Sequence, residues 1–136
     1  MAAEIGFSHV SLPVSDVDRS VEFYRRWARL EVVDRLEDPK IGAKAARMAD
    51  PRRDGGFVLA LVQHGEVKHR LAGMGHLGVG CVDRAEVDRL SKEADAAGCL
   101  GQGPVDSGFP LGYWSFLLDP DGHHLELSYG QNDPDA

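Results

Sequence analysis

The sequence predicts an α+β fold made of two copies of a βαβββ module. The same order of strand and helix signals occurs twice along the 136-residue chain. His9 and His76, at the starts of the two copies, lie 67 residues apart. Ala60 and Glu126, in the two last strands, lie 66 residues apart, and such a fixed offset indicates a structural repeat. The expected organisation is one domain over 1–136, with module one at 5–63, a linker at 64–74 and module two at 75–130.

Module one opens with an amphipathic strand and a helix. Val10, Leu12 and Val14 alternate with other residues, which is typical of a strand with one apolar face. Ser15 and Asp16 follow, and both are favourable N-cap residues for the helix. The elements expected in module one are strand 5–14, helix 16–29, and strands 30–36, 43–49 and 57–62, with turns at 38–39 and 50–56.

Module two repeats this order. Asp83 and Glu86 have the spacing of a capping box, and Gly98 is placed to end the helix that follows. The helix face expected to be buried contains Val87, Leu90, Ala94 and Ala97. The strands expected in module two are 76–82, 99–105, 112–118 and 123–129, with a turn at 119–122. The polar tail 130–136 is expected to be frayed.

Composition excludes several classes of protein. The net charge of -7 and the pI of about 5.2 disfavour binding to nucleic acid. No apolar run reaches the roughly 18 residues of a membrane span, and the first residues lack the pattern of a secretion signal. Cys81 and Cys99 do not form a disulfide framework. The chain is therefore expected in the cytoplasm, without a membrane partner.

Three residues have the chemistry and the spacing of a metal site. His9, His76 and Glu126 each alternate with apolar neighbours, so all three should point away from the helix-covered face of the sheet. Two imidazoles and one carboxylate leave open positions on a metal ion, which is typical of a catalytic site. A divalent Fe, Mn, Co, Ni or Zn ion would suit these ligands. Each residue alone is more often structural; their matched repeat positions favour a shared site.

Further residues are candidates for contact with a ligand. Trp114, Phe116 and Leu118 should share one strand face, which favours a platform for a flat molecule, although core or dimer packing explains it equally well. His124 should share the inner face with Glu126, and His123 the outer face. The possible polar contacts are Ser11, Arg47 and Tyr129, and the linker histidines expected in solvent are His64 and His69.

Three segments resemble the vicinal oxygen chelate superfamily of glyoxalases, bleomycin-resistance proteins and extradiol dioxygenases. They are FSHVSLPVSDVDRSVEFY, GHLGVGCVD and FLLDPDGHHLELSYG, and the resemblance covers roughly residues 5–130. It implies curved mixed sheets around a concave pocket, a homodimer, and a metal that binds two neighbouring oxygens of a small molecule. The ligand set could lie within one chain or across the dimer interface.

The chain departs from named branches of that superfamily at two positions. Glyoxalase I generally supplies a fourth ligand where this chain has Ala60, so that activity is put in doubt. The dioxygenases and fosfomycin-modifying enzymes resemble each other in having a tyrosine where this chain has Phe116. The absence of Lys and Arg from 99–118 and after Glu126 also disfavours binding of a phosphonate.

Two functions therefore remain open from the sequence. The first is a metal-dependent enzyme, dioxygenase-like or lyase-like, that acts on a small oxygenated molecule. The alternative is a metal-free protein that binds a drug or natural product, as bleomycin-resistance proteins do. A purely structural role is disfavoured because three inward polar residues would be costly to bury without partners.

Overall fold

The computed structural model describes residues 5–53 and 56–136. The chain divides between Arg70 and Leu71 into two compact units, and this division falls within the expected linker. Unit one and unit two each contain the element order β-α-β-β-β, which confirms the prediction of two modules. The turn expected at 50–56 includes Asp54 and Gly55, which lie outside the described residues.

Unit one is a four-stranded mixed sheet with one helix. Its strands follow the order β1-β4-β3-β2, in which β1 pairs with β4 in parallel and the other pairs are antiparallel. The first strand is shorter than expected because it begins only at His9. The elements of unit one are β1 (His9–Val14), α1 (Val17–Ala28), β2 (Glu31–Asp38), β3 (Ala43–Ala49) and β4 (Val58–Gln63).

Helix α1 begins at a capped turn. The Asp16 carboxylate accepts hydrogen bonds from the backbone N–H groups of Asp18 at 3.1 Å and Arg19 at 3.3 Å. Gln63, at the end of β4, accepts a third hydrogen bond from the Val17 N–H at 2.9 Å. These bonds satisfy donors that have no partner within the helix. Asp16 is therefore the N-cap, and α1 is joined directly to the sheet strand that it covers.

Unit two has the same topology as unit one. Its strand order is β5-β8-β7-β6, with β5 and β8 parallel and the other pairs antiparallel. His76 immediately precedes the first strand instead of lying within it. The elements of unit two are β5 (Leu77–Gly80), α2 (Arg84–Ala96), β6 (Leu100–Asp106), β7 (Tyr113–Leu118) and β8 (His124–Tyr129).

The ends of α2 agree with the sequence signals. Asp83 accepts a hydrogen bond from the Glu86 N–H at 2.8 Å, and the Glu86 carboxylate accepts one from the Val82 N–H at 2.7 Å. This reciprocal pair resembles a capping box, except that Glu86 bonds to the N–H of Val82, the residue before the N-cap, and not to that of the N-cap Asp83. Gly98 follows the C-cap with a φ of +79°, a conformation that favours glycine.

The buried face of α2 differs from the expected one. Leu90 is only half-buried and Ala97 is exposed, whereas Ser91 is buried. The Ser91 hydroxyl donates to the Val87 carbonyl at 2.6 Å and lies 2.6 Å from the hydroxyl of Ser115 on β7. Because both polar groups are satisfied, a serine pair can occupy the helix–sheet contact where an apolar residue was expected.

The two sheets align their strands in the same register. In each sheet, one residue of the last strand lies between one residue of the first strand and one of the third. These rows are Ser11, Ala60 and Arg47 in unit one, and Gly78, Glu126 and Phe116 in unit two. Ala60 and Glu126 therefore occupy equivalent places in their sheets, as the 66-residue offset between them predicts.

His123 belongs to the structural core of unit two. Its side chain is 0% exposed, and its Nδ1 atom accepts a hydrogen bond from the Leu71 N–H at 3.0 Å. The Asp119 carboxylate accepts the His123 backbone N–H at 2.9 Å and closes the turn before β8. His123 is thus a buried residue that joins the start of β8 to Leu71. No helix within residues 5–53 and 56–136 has the length and apolar character needed to cross a membrane.

Gly112 provides a test of the loop before β7. Gly112 and Gly98 both have a φ of +79°, but a Cβ at Gly112 would overlap the Tyr129 carbonyl, whereas one at Gly98 meets open space. We expect Gly112→Ala to lower the free energy of unfolding by more than about 2 kcal/mol and Gly98→Ala by about 1 kcal/mol. Urea denaturation measures both. Equal losses would show that the loop does not pack as described.

Tyr113 provides a test of the α2–β7 contact. Its hydroxyl donates to the Asp88 carboxylate, and this hydrogen bond, with burial and the Asp88 charge adding to it, raises the pKa of Tyr113. A raised pKa in the folded state stabilises the fold below the unfolded pKa, and this contribution disappears as pH rises through the folded value. Absorbance titration should show Asp88→Ala lowering the pKa of Tyr113, whereas the exposed control Asp95→Ala should leave it unchanged. An identical titration in both variants would contradict the contact.

Candidate functional site

The candidate site lies on the face of the unit-two sheet opposite α2, called the open face below. Ser115 and Leu117 of β7 are buried on the helix side, so Trp114 and Phe116 point to the open face. On β8 the same alternation directs Glu126 to the open face between Leu125 and Leu127. Trp114, Phe116 and Glu126 therefore share the open face, as the sequence predicted, whereas His9 belongs to unit one.

His76 and Glu126 face each other at the centre of this region. The Nε2 atom of His76 lies 3.5 Å from the Oε2 atom of Glu126. The Nδ1 atom of His76 lies 3.2 Å from the Met74 carbonyl oxygen. A carbonyl can only accept, so Nδ1 carries a proton, and in the neutral ring Nε2 is then an unprotonated lone pair directed at the carboxylate.

The Glu126 carboxylate is held from its other side. Gln131 donates a hydrogen bond from Nε2 to Oε1 of Glu126 at 2.8 Å. Gln131 belongs to the tail that the sequence predicted to be frayed, and for this residue that prediction was wrong. Glu126 is only 8% exposed, so its two oxygens have few water contacts. No sequence pattern marked Gln131, because its role depends on the tail folding back over β8.

Aromatic side chains border the His76–Glu126 pair. Phe116 contacts the rings of His76, Trp114 and His124, with centroid separations of 5.0, 5.1 and 5.5 Å. The Trp114 indole N–H donates to the Ser107 hydroxyl at 3.0 Å, which fixes the ring. The grouping of Trp114, Phe116 and His124 on one face agrees with the sequence prediction.

His124 has an unusual polar atom. Its Nδ1 is buried and has no hydrogen-bond partner among the described residues. Its backbone N–H donates to the Leu71 carbonyl at 2.8 Å, so the main chain at this position is fixed while the ring nitrogen is not satisfied. A buried polar atom without a partner is costly, and a bound ligand could supply the missing bond.

The candidate site residues of unit one are His9, Ser11 and Arg47. His9 is exposed, and its Nδ1 lies 2.8 Å from the Ser8 hydroxyl. Ser11 is exposed on β1. Arg47 donates from Nε to the Asp34 carboxylate at 2.8 Å and from a second nitrogen to its other oxygen. The hydrogen bonds of this pair lower the pKa of Asp34 and raise that of Arg47.

The pair in unit two fits two ligands of one metal ion. Two atoms each about 2.1 Å from a metal are about 3.0 Å apart in octahedral geometry and about 3.4 Å apart in tetrahedral geometry. The observed separation of 3.5 Å is close to these values. Among residues 5–53 and 56–136, no three His, Cys, Asp or Glu side chains are gathered as a metal-binding group. Within the described residues, unit two therefore offers at most the His76–Glu126 pair for a metal ion.

Comparison with known sequences identifies relatives along nearly the whole chain. An uncharacterized protein of Pseudomonas aeruginosa is 34% identical over 125 residues, which covers 91% of this chain and 88% of that protein. A probable chloroplastic lactoylglutathione lyase of Arabidopsis thaliana is 30% identical and covers 88% of this chain, but the match spans 34% of that longer protein. A probable lactoylglutathione lyase of Vibrio cholerae is 27% identical over 88% of this chain and 86% of that protein.

Solved structures share the same fold. The trypanothione-dependent glyoxalase I of Leishmania major has a TM-score of 0.73 at 24% identity and covers 95% of this chain and 88% of its own. A point mutant of the fosfomycin resistance protein FosX of Listeria monocytogenes, solved with Mn(II) and a dihydroxypropylphosphonic acid, has a TM-score of 0.73 at 20% identity over 92% of each chain.

The family follows from a match that covers most of the chain. The pattern that defines the Glyoxalase/Bleomycin resistance protein/Dioxygenase superfamily matches residues 6–127, from before β1 into β8 and including Glu126. The topology of both units and the solved structures agree with this match. The chain belongs to the Glyoxalase/Bleomycin resistance protein/Dioxygenase superfamily.

Proposed function

We propose that the protein is a metal-dependent enzyme that acts on a small oxygenated molecule, in a lyase-like or dioxygenase-like reaction. The observation that carries this proposal is the opposition of His76 Nε2 and Glu126 Oε2 at 3.5 Å. Both atoms are acceptors when His76 is neutral, so their lone pairs repel unless a cation lies between them. A divalent ion is the cation that this geometry suits best.

A proton is the competing cation. A doubly protonated His76 would form a simple ion pair with Glu126. Two features favour a metal ion instead. The separation of 3.5 Å is long for a charge-assisted hydrogen bond, which is usually about 2.7–2.9 Å. The outer atom of each side chain is held by another group, Met74 O for His76 and Gln131 for Glu126, as is typical of metal ligands.

The third ligand in this proposal is His9. It begins β1, as His76 directly precedes β5, so the repeat gives the two histidines corresponding positions in their own units. His9 would be supplied by the same chain or by the second copy in a homodimer. Ala60 occupies the row position of Glu126 and has no ligand atom, so we propose three protein ligands and open positions for substrate.

In this proposal, the other residues of the open face line the site and exclude water from it. When bound, the metal supplies a Lewis acid for negative charge that develops on substrate oxygen. Phe116 and Trp114 offer an apolar wall that excludes water and accepts a flat group. The unpartnered Nδ1 of His124 could bond to a substrate polar group. In unit one, Ser11 stays a candidate contact, and Arg47 a weaker one because Asp34 already occupies its guanidinium.

The related sequences support the lyase-like reading, since two relatives are probable lactoylglutathione lyases. Two residues of this chain disfavour the acid–base residues that such an enzyme would use. Ala60 cannot take a proton from a substrate, and Phe116 cannot donate one. Any acid or base must therefore come from another side chain. The substrate class proposed here is a small molecule with two neighbouring oxygens, and the expected compartment is the cytoplasm.

The second candidate function is metal-free binding of an aromatic drug or natural product. The observation that favours it is the contact of Phe116 with three other rings on the open face. Edge-on and tilted ring contacts of this kind stabilise a rigid aromatic surface. The two candidates differ in one respect that can be measured, which is whether ligand binding needs a metal ion.

Metal binding by His76 and Glu126 tests the first candidate. We expect purified protein stripped of metal to bind one Mn²⁺ or Zn²⁺ per chain, and His76→Ala or Glu126→Gln to weaken that binding at least about 100-fold, because each removes a ligand. Isothermal titration calorimetry gives the affinities. His9→Ala should also weaken binding, whereas the exposed linker variant His64→Ala is the control. Equal affinity in His76→Ala and the control would contradict the proposed ligand set.

Phe116 tests the aromatic wall. Catechol, which is flat and has two adjacent oxygens, should quench tryptophan fluorescence of the Zn²⁺-loaded protein. We expect Phe116→Ala to weaken catechol binding about 3- to 10-fold, which corresponds to about 0.5–1.5 kcal/mol for an aromatic contact. The exposed Phe109→Ala is the matched control. Catechol binding that is unchanged by EDTA would favour the metal-free candidate, and binding unchanged by Phe116→Ala would exclude this wall as the binding surface.

A further inference from the structure

The C-terminal tail contributes a side chain to the candidate metal site. Gln131 follows β8 and the glycine at position 130, whose φ is +90° and turns the chain. Its side-chain nitrogen donates to Glu126 Oε1 at 2.8 Å and to the Leu111 carbonyl oxygen at 3.0 Å. Gln131 is half-buried; its bond to Glu126 is partly buried, whereas its bond to Leu111 is exposed.

The orientation of the Gln131 amide follows from its two partners. An ionised carboxylate and a backbone carbonyl are both acceptors only. The amide must therefore present its NH₂ group to both, because its oxygen would be repelled by each. Gln131 thus acts as a fixed donor that joins Glu126 to the loop preceding β7. That loop is itself closed by the hydrogen bonds Ser107 N–H to Gly112 O at 3.0 Å and Gly112 N–H to Gly108 O at 2.7 Å.

The two oxygens of Glu126 consequently contact different residues. Oε1 is engaged by Gln131, and Oε2 is directed at His76 Nε2. A carboxylate constrained in this way can offer only one oxygen to a cation beside His76. A free carboxylate could rotate and present both oxygens. The division of the oxygens comes from a residue outside the two βαβββ modules.

We propose that Gln131 is a positioning residue that holds Glu126 as a one-oxygen metal ligand through Oε2. This inference rests on the proposed metal-binding function of His76 and Glu126. It also assigns a role to the tail after β8, whose Gln131 fixes the ligand that the last strand supplies. Groups that orient a metal ligand through its second atom typically change metal affinity about 10- to 100-fold when removed.

The test compares Gln131→Met with wild-type protein. Methionine keeps nearly the length of glutamine but donates no hydrogen bond, so Oε1 of Glu126 becomes free. Mn²⁺ affinity should fall about 10- to 100-fold. The visible absorption of the Co²⁺-loaded protein should change, because a released carboxylate can add its second oxygen to the ion. Asn132→Leu, an exposed neighbour in the tail, is the control and should change neither property.

Each outcome has a separate meaning. Circular dichroism and thermal unfolding identify any loss of fold, and Gln131→Ala is a second variant with less bulk if methionine disturbs packing. Wild-type affinity and an unchanged Co²⁺ spectrum in a folded Gln131→Met or Gln131→Ala protein would overturn the positioning role while leaving the proposed function intact. Wild-type protein that binds neither Mn²⁺ nor Co²⁺ would overturn both proposals.

Discussion

The close approach of an imidazole and a carboxylate on the open face is the interaction on which the candidate site depends. His76 Nε2 and Glu126 Oε2 lie 3.5 Å apart, and neither can turn away freely, since the Met74 carbonyl holds the imidazole and Gln131 holds the carboxylate. Glu126 is buried while the His76 side chain is 31% exposed, and two acceptors this close repel each other unless a cation joins them. In the proposed function, these two atoms are held in advance for a positively charged partner.

The sheet supplies the rigidity that this arrangement requires. Glu126 lies on a central strand between Gly78 on β5 and Phe116 on β7, and Leu125 and Leu127 fix the same strand from the helix side. Unit one repeats this framework with Ala60 in place of Glu126. The same backbone position therefore holds a carboxylate in one unit and a methyl group in the other. The two units share a sheet topology but not the side chains of the candidate site, which are a few residues on the open face of unit two.

Local patterns in the sequence predict much of the fold and part of the candidate site. Alternation along β8 placed Glu126 opposite its apolar neighbours, and the Asp83–Glu86 spacing located the start of α2, because both depend on residues close in the chain. Ser91 and Gln131 could not be found in that way. The Ser91 hydroxyl is satisfied by Ser115 across the helix–sheet contact, and Gln131 by atoms of β8 and a distant loop. Such contacts appear only once the elements pack together.

The central claim is that one divalent ion joins His76 Nε2 to Glu126 Oε2. A crystal structure of protein loaded with Mn²⁺ or Zn²⁺, with data collected at the absorption edge of the metal, tests it most directly. We expect an anomalous peak about 2.0–2.2 Å from both atoms, with Glu126 Oε1 still bound to Gln131. A map with no peak there, and with His76 Nε2 drawn into a direct hydrogen bond with the carboxylate, would contradict the claim and identify the pair as an ordinary ion pair.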